Sequence, residues 1–105
     1  MVKITKVKSG SIFEEKESYS RIVAVDDWIF VSNTAGRNYK TREMSEDAVE
    51  QAKQCFNNVE GALKAAGASM SDVTKITVFL VDVGDYPAYA AERLRRFPED
   101  GPASS

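Results

Sequence analysis

The chain contains no histidine, and that absence excludes more chemistry than any other feature of its composition. Nucleophile systems of the Ser-His-Asp or Cys-His kind need an imidazole to take the proton. Zinc sites that include histidine go with them. A single cysteine, Cys55, supplies neither an internal disulfide nor a thiolate cluster. Any catalysis falls to carboxylates, arginine, lysine, tyrosine, hydroxyls or backbone amides. A lone thiol fits a reducing, cytoplasmic home. No apolar run approaches the roughly 18 residues of a membrane span. The opening MVKITKVKSGS has charges but no apolar stretch behind them, unlike a signal peptide. A net charge of −2 gives no electrostatic reason to expect a nucleic-acid partner.

What is present suits one small domain spanning residues 1–105. Residues 2–8, VKITKVK, alternate apolar and polar with period two and predict a half-buried strand. Residues 9–18 are a polar connection. Two apolar runs, Ile22–Val25 and Trp28–Val31, flank Asp26-Asp27, and aspartate tolerates the positive φ of a two-residue hairpin turn. A polar loop from Thr34 follows. Ser45 is placed to cap a long helix, with Glu46 and Asp47 at the positive end of its dipole. Its apolar face runs through Ala48, Val49, Ala52, Cys55, Phe56, Val59, Ala62, Leu63 and Ala66, and Gly67 sits where a left-handed cap belongs. Residues 73–83 predict a strand whose apolar middle suits burial on both faces. Asp85 then caps a second helix with Pro87 in its first turn and Tyr86, Tyr89, Ala90, Leu94 and Phe97 on its apolar side.

The order is β-β-β-α-β-α, an α+β fold with a mixed sheet packed by two helices on one face. The strands are apolar on both faces, yet two helices cover only one. A second copy of the chain is the natural cover, so a homo-oligomer is expected.

Three stretches resemble the Rid family, also called the YjgF/YER057c/UK114 family. YSRIVAVDDWIFVSNTAG (19–36) is similar to its hairpin. EQAKQCFNNVEGALKAAGASMSDVTKITVFLVDVGDY (50–86) is similar to its long helix, "GAS" turn and central strand. FPEDGPASS (97–105) is similar to its Phe-Pro-x-x-x-Pro-Ala-Arg-Ser segment. The resemblance implies a chorismate-mutase-like fold and a homotrimer whose three sheets close into a barrel-like centre, with ligand clefts between subunits. It implies hydrolysis of reactive 2-imino and enamino acids to 2-keto acids and ammonia, without metal or organic cofactor. It also implies further C-terminal strands, the last carrying a cleft glutamate, which the chain is expected to lack.

In the deaminase members an arginine follows Pro-Ala and grips the substrate carboxylate with a bidentate fork. Here Ser104 follows Pro102-Ala103, and a hydroxyl offers one neutral donor. The resemblance places Tyr19 in the cleft and assigns Ser32, Asn33 and Thr34 to the loop whose backbone amides meet the ligand. Those same residue types favour turns, and a tyrosine at a strand start often packs with its ring. Arg37, in the loop after NTAG, is a candidate substitute for the absent arginine. Arg93, Arg95 and Arg96 read instead as cations complementing a helix end. Asp82 and Asp85 are paired carboxylates three residues apart, with Asp85 better explained as a cap. Cys55 reads as a small core residue.

Two functions compete. One is a Rid-like hydrolase of small imine or enamine metabolites, doubtful at the Ser104 position. The other is a non-catalytic homotrimer that binds a small carboxylate- or carbonyl-containing metabolite. A ribonuclease or translation inhibitor, a label often attached to the family, is the remote third reading, disfavoured by the acidic balance and the missing histidine.

Overall fold

A computed structural model describes residues 2–105. Strand β1 (Ile4–Val7) is followed by a short helix α1 (Ile12–Lys16) and the hairpin β2 (Ile22–Val25) and β3 (Trp28–Val31). Then come α2 (Ala48–Ala65), β4 (Lys75–Ile76), α3 (Tyr86–Arg96) and β5 (Ala103–Ser104). The architecture is α+β, as the sequence indicates, with two additions. Helix α1 lies within the stretch read as a plain polar connection, begun by Ser11, whose Oγ accepts from the Phe13 amide at 3.3 Å. The second addition is β5.

The strands fall into two groups rather than one continuous mixed sheet. β1, β2 and β3 form an antiparallel sheet in that order, while β4 pairs in parallel with β5. Parallel bonding continues past the assigned strands, from Ala103 N to Thr74 O and from Val78 N to Ser105 O. Beyond Val78, the extended segment has no ladder partner among the described residues, so the strand read over 73–83 shrinks to its paired part. Side-chain alternation ends with the pairing: Ile76 and Val78 pack against the core, whereas Phe79, Leu80 and Val81 are all exposed.

The hairpin turn lies at Asp26-Asp27 as read, with the positive φ on Asp26 (52°). Asp26 also accepts from the Lys3 amide at 3.1 Å and so ties the turn to the start of β1. Two capping expectations are corrected. Asp47, not Ser45, caps α2, its Oδ1 accepting from Val49 N at 3.2 Å; Ser45 Oγ accepts from Asp47 N one step earlier. Asp85 stands at the start of α3 but makes no side-chain cap, because Asp82 takes the preceding turn and accepts from Gly84 N at 2.8 Å. Gly67 has the left-handed φ (82°) that ends α2.

The core lies between the sheet and the paired helices α2 and α3. Ile22, Phe56, Ala62, Leu63, Met70 and Tyr89 are buried there. Phe56 stacks on Tyr89 at 6.0 Å and meets Phe97 edge-on at 6.3 Å. Burying a side chain such as Ile22 contributes about 1.5–3 kcal/mol. Leu94, read as part of the α3 core face, is exposed instead; Glu92 turns inward and pairs with Arg95 and Arg96. The outward sheet face carries Ile4, Val23, Val25, Trp28 and Phe30, with Trp28 66% and Phe30 59% exposed.

The loop after β3 is pressed against α2. A Cβ on Gly36 would come within 2.9 Å of the Gln51 carbonyl carbon, a backbone atom that cannot swing aside. Gly36→Ala is therefore expected to destabilise the fold by about 1–3 kcal/mol, the usual cost of overpacking. A urea-unfolding midpoint equal to that of the unmodified chain would contradict this close approach.

Candidate functional site

The candidate site is built around a residue that the sequence did not single out. Arg21 is 3% exposed and forms an ion pair with the fully buried Glu14, Nε to Oε2 at 3.2 Å. Its Nη1 donates to Asn33 O at 2.8 Å and Thr34 Oγ1 at 3.1 Å, and its Nη2 to the Tyr19 hydroxyl at 3.3 Å. The guanidinium carbon lies 5.4 Å from the Tyr19 ring centre and 5.6 Å from that of Tyr39. One cation thus joins α1, β2, the loop after β3 and two aromatic rings. A signal for it existed: period two from Val23 places Arg21 and Tyr19 on the same strand side.

Glu14 would be pushed up by burial, but hydrogen bonds from Ser9 and the Arg21 guanidinium outweigh this and hold its carboxyl below the ordinary value. Both Ser9 N, at 2.8 Å, and Ser9 Oγ donate to it. With every strong partner engaged, Glu14 is a structural anion rather than a free base.

Tyr19 and Ser32 share a cavity of about 380 Å³ with Val23, Lys6 and Lys8. Lys6 faces Val23 across the β1–β2 ladder, so the cavity lies on the outward face of the sheet. The Ser32 hydroxyl donates to Ser20 O at 2.6 Å, and the Thr34 hydroxyl to Ser32 O at 2.8 Å. Both hydroxyl protons therefore serve the turn. Asn33 is exposed beside them. Tyr19, Ser32 and Thr34 are brought together around Arg21, whereas Ser104 lies in β5 beside Ile76 and does not line this cavity. Arg37 lines a different cavity, together with Tyr39. Cys55 is turned inward and donates its Sγ proton to Thr34 O at 3.1 Å, with burial pushing the thiol up. The basic run of α3 is engaged elsewhere: Arg93 lies over Tyr86 and Tyr89, and Arg96 binds Glu92 and Asn57.

The family model for endoribonuclease L-PSP matches residues 11–105, which include the Arg21 cluster, the core helices and β5. The chain belongs to that family. It is the Rid, or YjgF/YER057c/UK114, family that the sequence motifs resemble. Among relatives, a 2-iminobutanoate/2-iminopropanoate deaminase of Dermatophagoides farinae is 34% identical over 88 residues, covering 83% of this chain and 69% of its own length. A RutC family protein of Sinorhizobium fredii is 42% identical over 69 residues, covering 65% of this chain and 55% of its own. The chain thus spans between about half and seven tenths of the length of these relatives. A Mycobacterium tuberculosis member of the YjgF/YER057c/UK114 family superposes with a TM-score of 0.87 at 27% identity, covering 98% of this chain and 81% of that one. Rid-family members therefore share this α+β frame, and some are named as imine deaminases.

Removing one partner of a buried ion pair costs about 3–5 kcal/mol, because the other charge is left without compensation. Glu14→Ala should lower stability by that order, read by chemical unfolding. The pH dependence has a definite sign. A carboxyl held low in the folded state contributes stability above its ordinary value of 4.5 and loses it as pH falls through the lowered folded value. Thermal melting below pH 4.5 should therefore fall more steeply with acid in the unmodified chain than in Glu14→Gln. Parallel slopes would show that Glu14 is not held as an anion by Arg21 and Ser9.

Proposed function

We propose that the protein is a Rid-type hydrolase of small imino or enamino acids, acting at the Tyr19 cavity where subunits of a homotrimer meet. The observation that carries this reading is the position of the cavity. Tyr19, Ser32, Lys6 and Lys8 stand on the same uncovered sheet face as Val23, Phe30 and Trp28. Exposed aromatic surface of this kind marks an interface. A second copy seated on it would wall the cavity and exclude water. The deaminase names of relatives support the reaction class. The lone, inward-facing thiol supports a cytoplasmic setting.

Chemically, water adds to the imine carbon, the C–N bond then breaks, and the carbonyl product leaves with ammonia. Tyr19 accepts from Arg21 Nη2, so its own proton is free to bond the substrate. The substrate carboxylate needs a cation, and none comes from Ser104. Lys6 and Lys8 supply two ammonium groups at the cavity. They are point charges rather than a planar fork, so they attract the carboxylate with less control of its orientation than an arginine. A slow enzyme is the consequence.

The test is hydrolysis of 2-iminobutanoate generated in situ by an amino-acid oxidase. Keto-acid release should accelerate with the protein, fall at least tenfold in Tyr19→Phe and rise in KM in a Lys6→Ala/Lys8→Ala variant. A folded protein that gives no acceleration would overturn the hydrolase and leave the second reading, a homotrimer that binds a small carboxylate- or carbonyl-containing metabolite without converting it.

A further inference from the structure

A second cavity shares no lining residue with the Tyr19 cavity. Residues 37–44 form a small hairpin, closed by a bridge between Arg37 and Met44 and by Asn38 N donating to Glu43 O at 2.9 Å. Asn38 Oδ1 secures its turn by accepting from the amides of Lys40 and Thr41. This hairpin faces α1 across a cavity of about 220 Å³ lined by Ser11, Ile12, Phe13, Arg37, Tyr39 and Arg42.

The lining is sorted by chemistry. Ile12 and Phe13 give an apolar wall. Arg37 lies 5.7 Å over the Phe13 ring and donates one Nη1 bond to Arg42 O at 2.6 Å. Its other N–H groups, and the whole Arg42 guanidinium, make no ion pair among the described residues. The Tyr39 hydroxyl is buried and has no hydrogen-bond partner there. Ser9 lies close by but gives its hydroxyl bond to Glu14. Buried phenols nearly always find a partner, so an orphan one is unusual. Burial pushes the Tyr39 phenol up. Ser11, 7% exposed, accepts from Phe13 N and retains a proton of its own to offer.

We propose that this cavity is a second ligand site, distinct from the Tyr19 cavity, and that it takes a small aryl carboxylate. The two guanidiniums hold the carboxylate, the Ser11 hydroxyl donates to it, and the ring lies against Ile12 and Phe13. Size agrees: an apolar cavity of about 150 Å³ is enough for benzene, so 220 Å³ admits one ring with a short acidic arm. No residue lines both cavities, but Arg21 contacts one aromatic ring of each. Arg21 lies over Tyr39 as well as Tyr19, so a ligand that shifts Tyr39 acts on the cation that positions Tyr19.

The probe is phenylacetate, followed by isothermal titration calorimetry at low salt with the full chain. One site per chain is expected, with affinity falling as salt screens the guanidiniums. Arg42→Gln should weaken binding at least tenfold; its guanidinium makes no hydrogen bond or ion pair among the described residues, so a change in melting temperature is not expected. Benzyl alcohol, with the same ring and no charge, should bind at least tenfold more weakly than phenylacetate. Tyr19→Phe and Ser32→Ala should leave phenylacetate affinity unchanged. Absence of binding overturns the proposal, as does equal affinity in Arg42→Gln. Loss of binding in Tyr19→Phe with retention in Arg42→Gln also overturns it, because it would place the ligand in the first cavity.

Discussion

The Glu14–Arg21 ion pair is the constraint on which the rest of the site depends. Glu14 is fully buried and Arg21 nearly so. Two charges without water are tolerated only when their remaining bonding capacity is filled. The surrounding sequence is arranged to fill it. Ser9 serves the carboxylate, and Asn33 O, Thr34 Oγ1 and the Tyr19 hydroxyl serve the guanidinium. The pair thereby sets where α1 docks, how the loop after β3 turns and which way Tyr19 faces. Replacement by apolar residues of similar size would often hold a fold together equally well. What an apolar pair would not do is polarise the Tyr19 phenol or fix the loop carbonyl of Asn33.

From that hub the site spreads to both sides. Toward the outer sheet face, Tyr19 and Ser32 meet two lysines in a cavity beside uncovered aromatic surface. Toward α1, Tyr39 borders a pocket with two arginines that make no ion pair among the described residues. The acidic overall balance of the chain conceals this: net charge is −2, yet four cations line the two cavities. Many of the acids are placed elsewhere, at helix starts, in the 3₁₀ turn of Asp82 and in the ion pairs of Glu92. Average charge was therefore a poor guide to local potential.

Much of the fold was legible because local physics and tertiary packing agree. Residues 48–65 show one apolar helical face over five turns, and Gly67 closes it. The β2–β3 hairpin follows from two apolar runs and an aspartate that accepts a positive φ. The segment 73–83 was less legible, because strand character needs a partner that residues beyond Val78 do not have here. Capping was misjudged by two or three residues, since several adjacent acids and serines compete for each helix start. Of the site, Tyr19, Ser32 and Thr34 were reached through motif resemblance. Arg21, Glu14 and Tyr39 were not, because a charged residue beside a strand or in a short polar helix reads as surface until a partner appears across the fold, and a tyrosine in a polar loop belongs to no periodic pattern. Glu14 and Arg21 are seven residues apart on different elements, a relation that no single periodicity encodes.

The central claim is that the outward sheet face is an interface which completes the Tyr19 cavity. Sedimentation equilibrium of the purified chain tests it most directly. The account predicts a species of three times the 11.6 kDa chain mass, dissociated by Phe30→Lys on that face without loss of helical circular dichroism. A well-folded monomer at every concentration examined would contradict it, because Trp28, Phe30 and the Tyr19 cavity would then face water with nothing to close them.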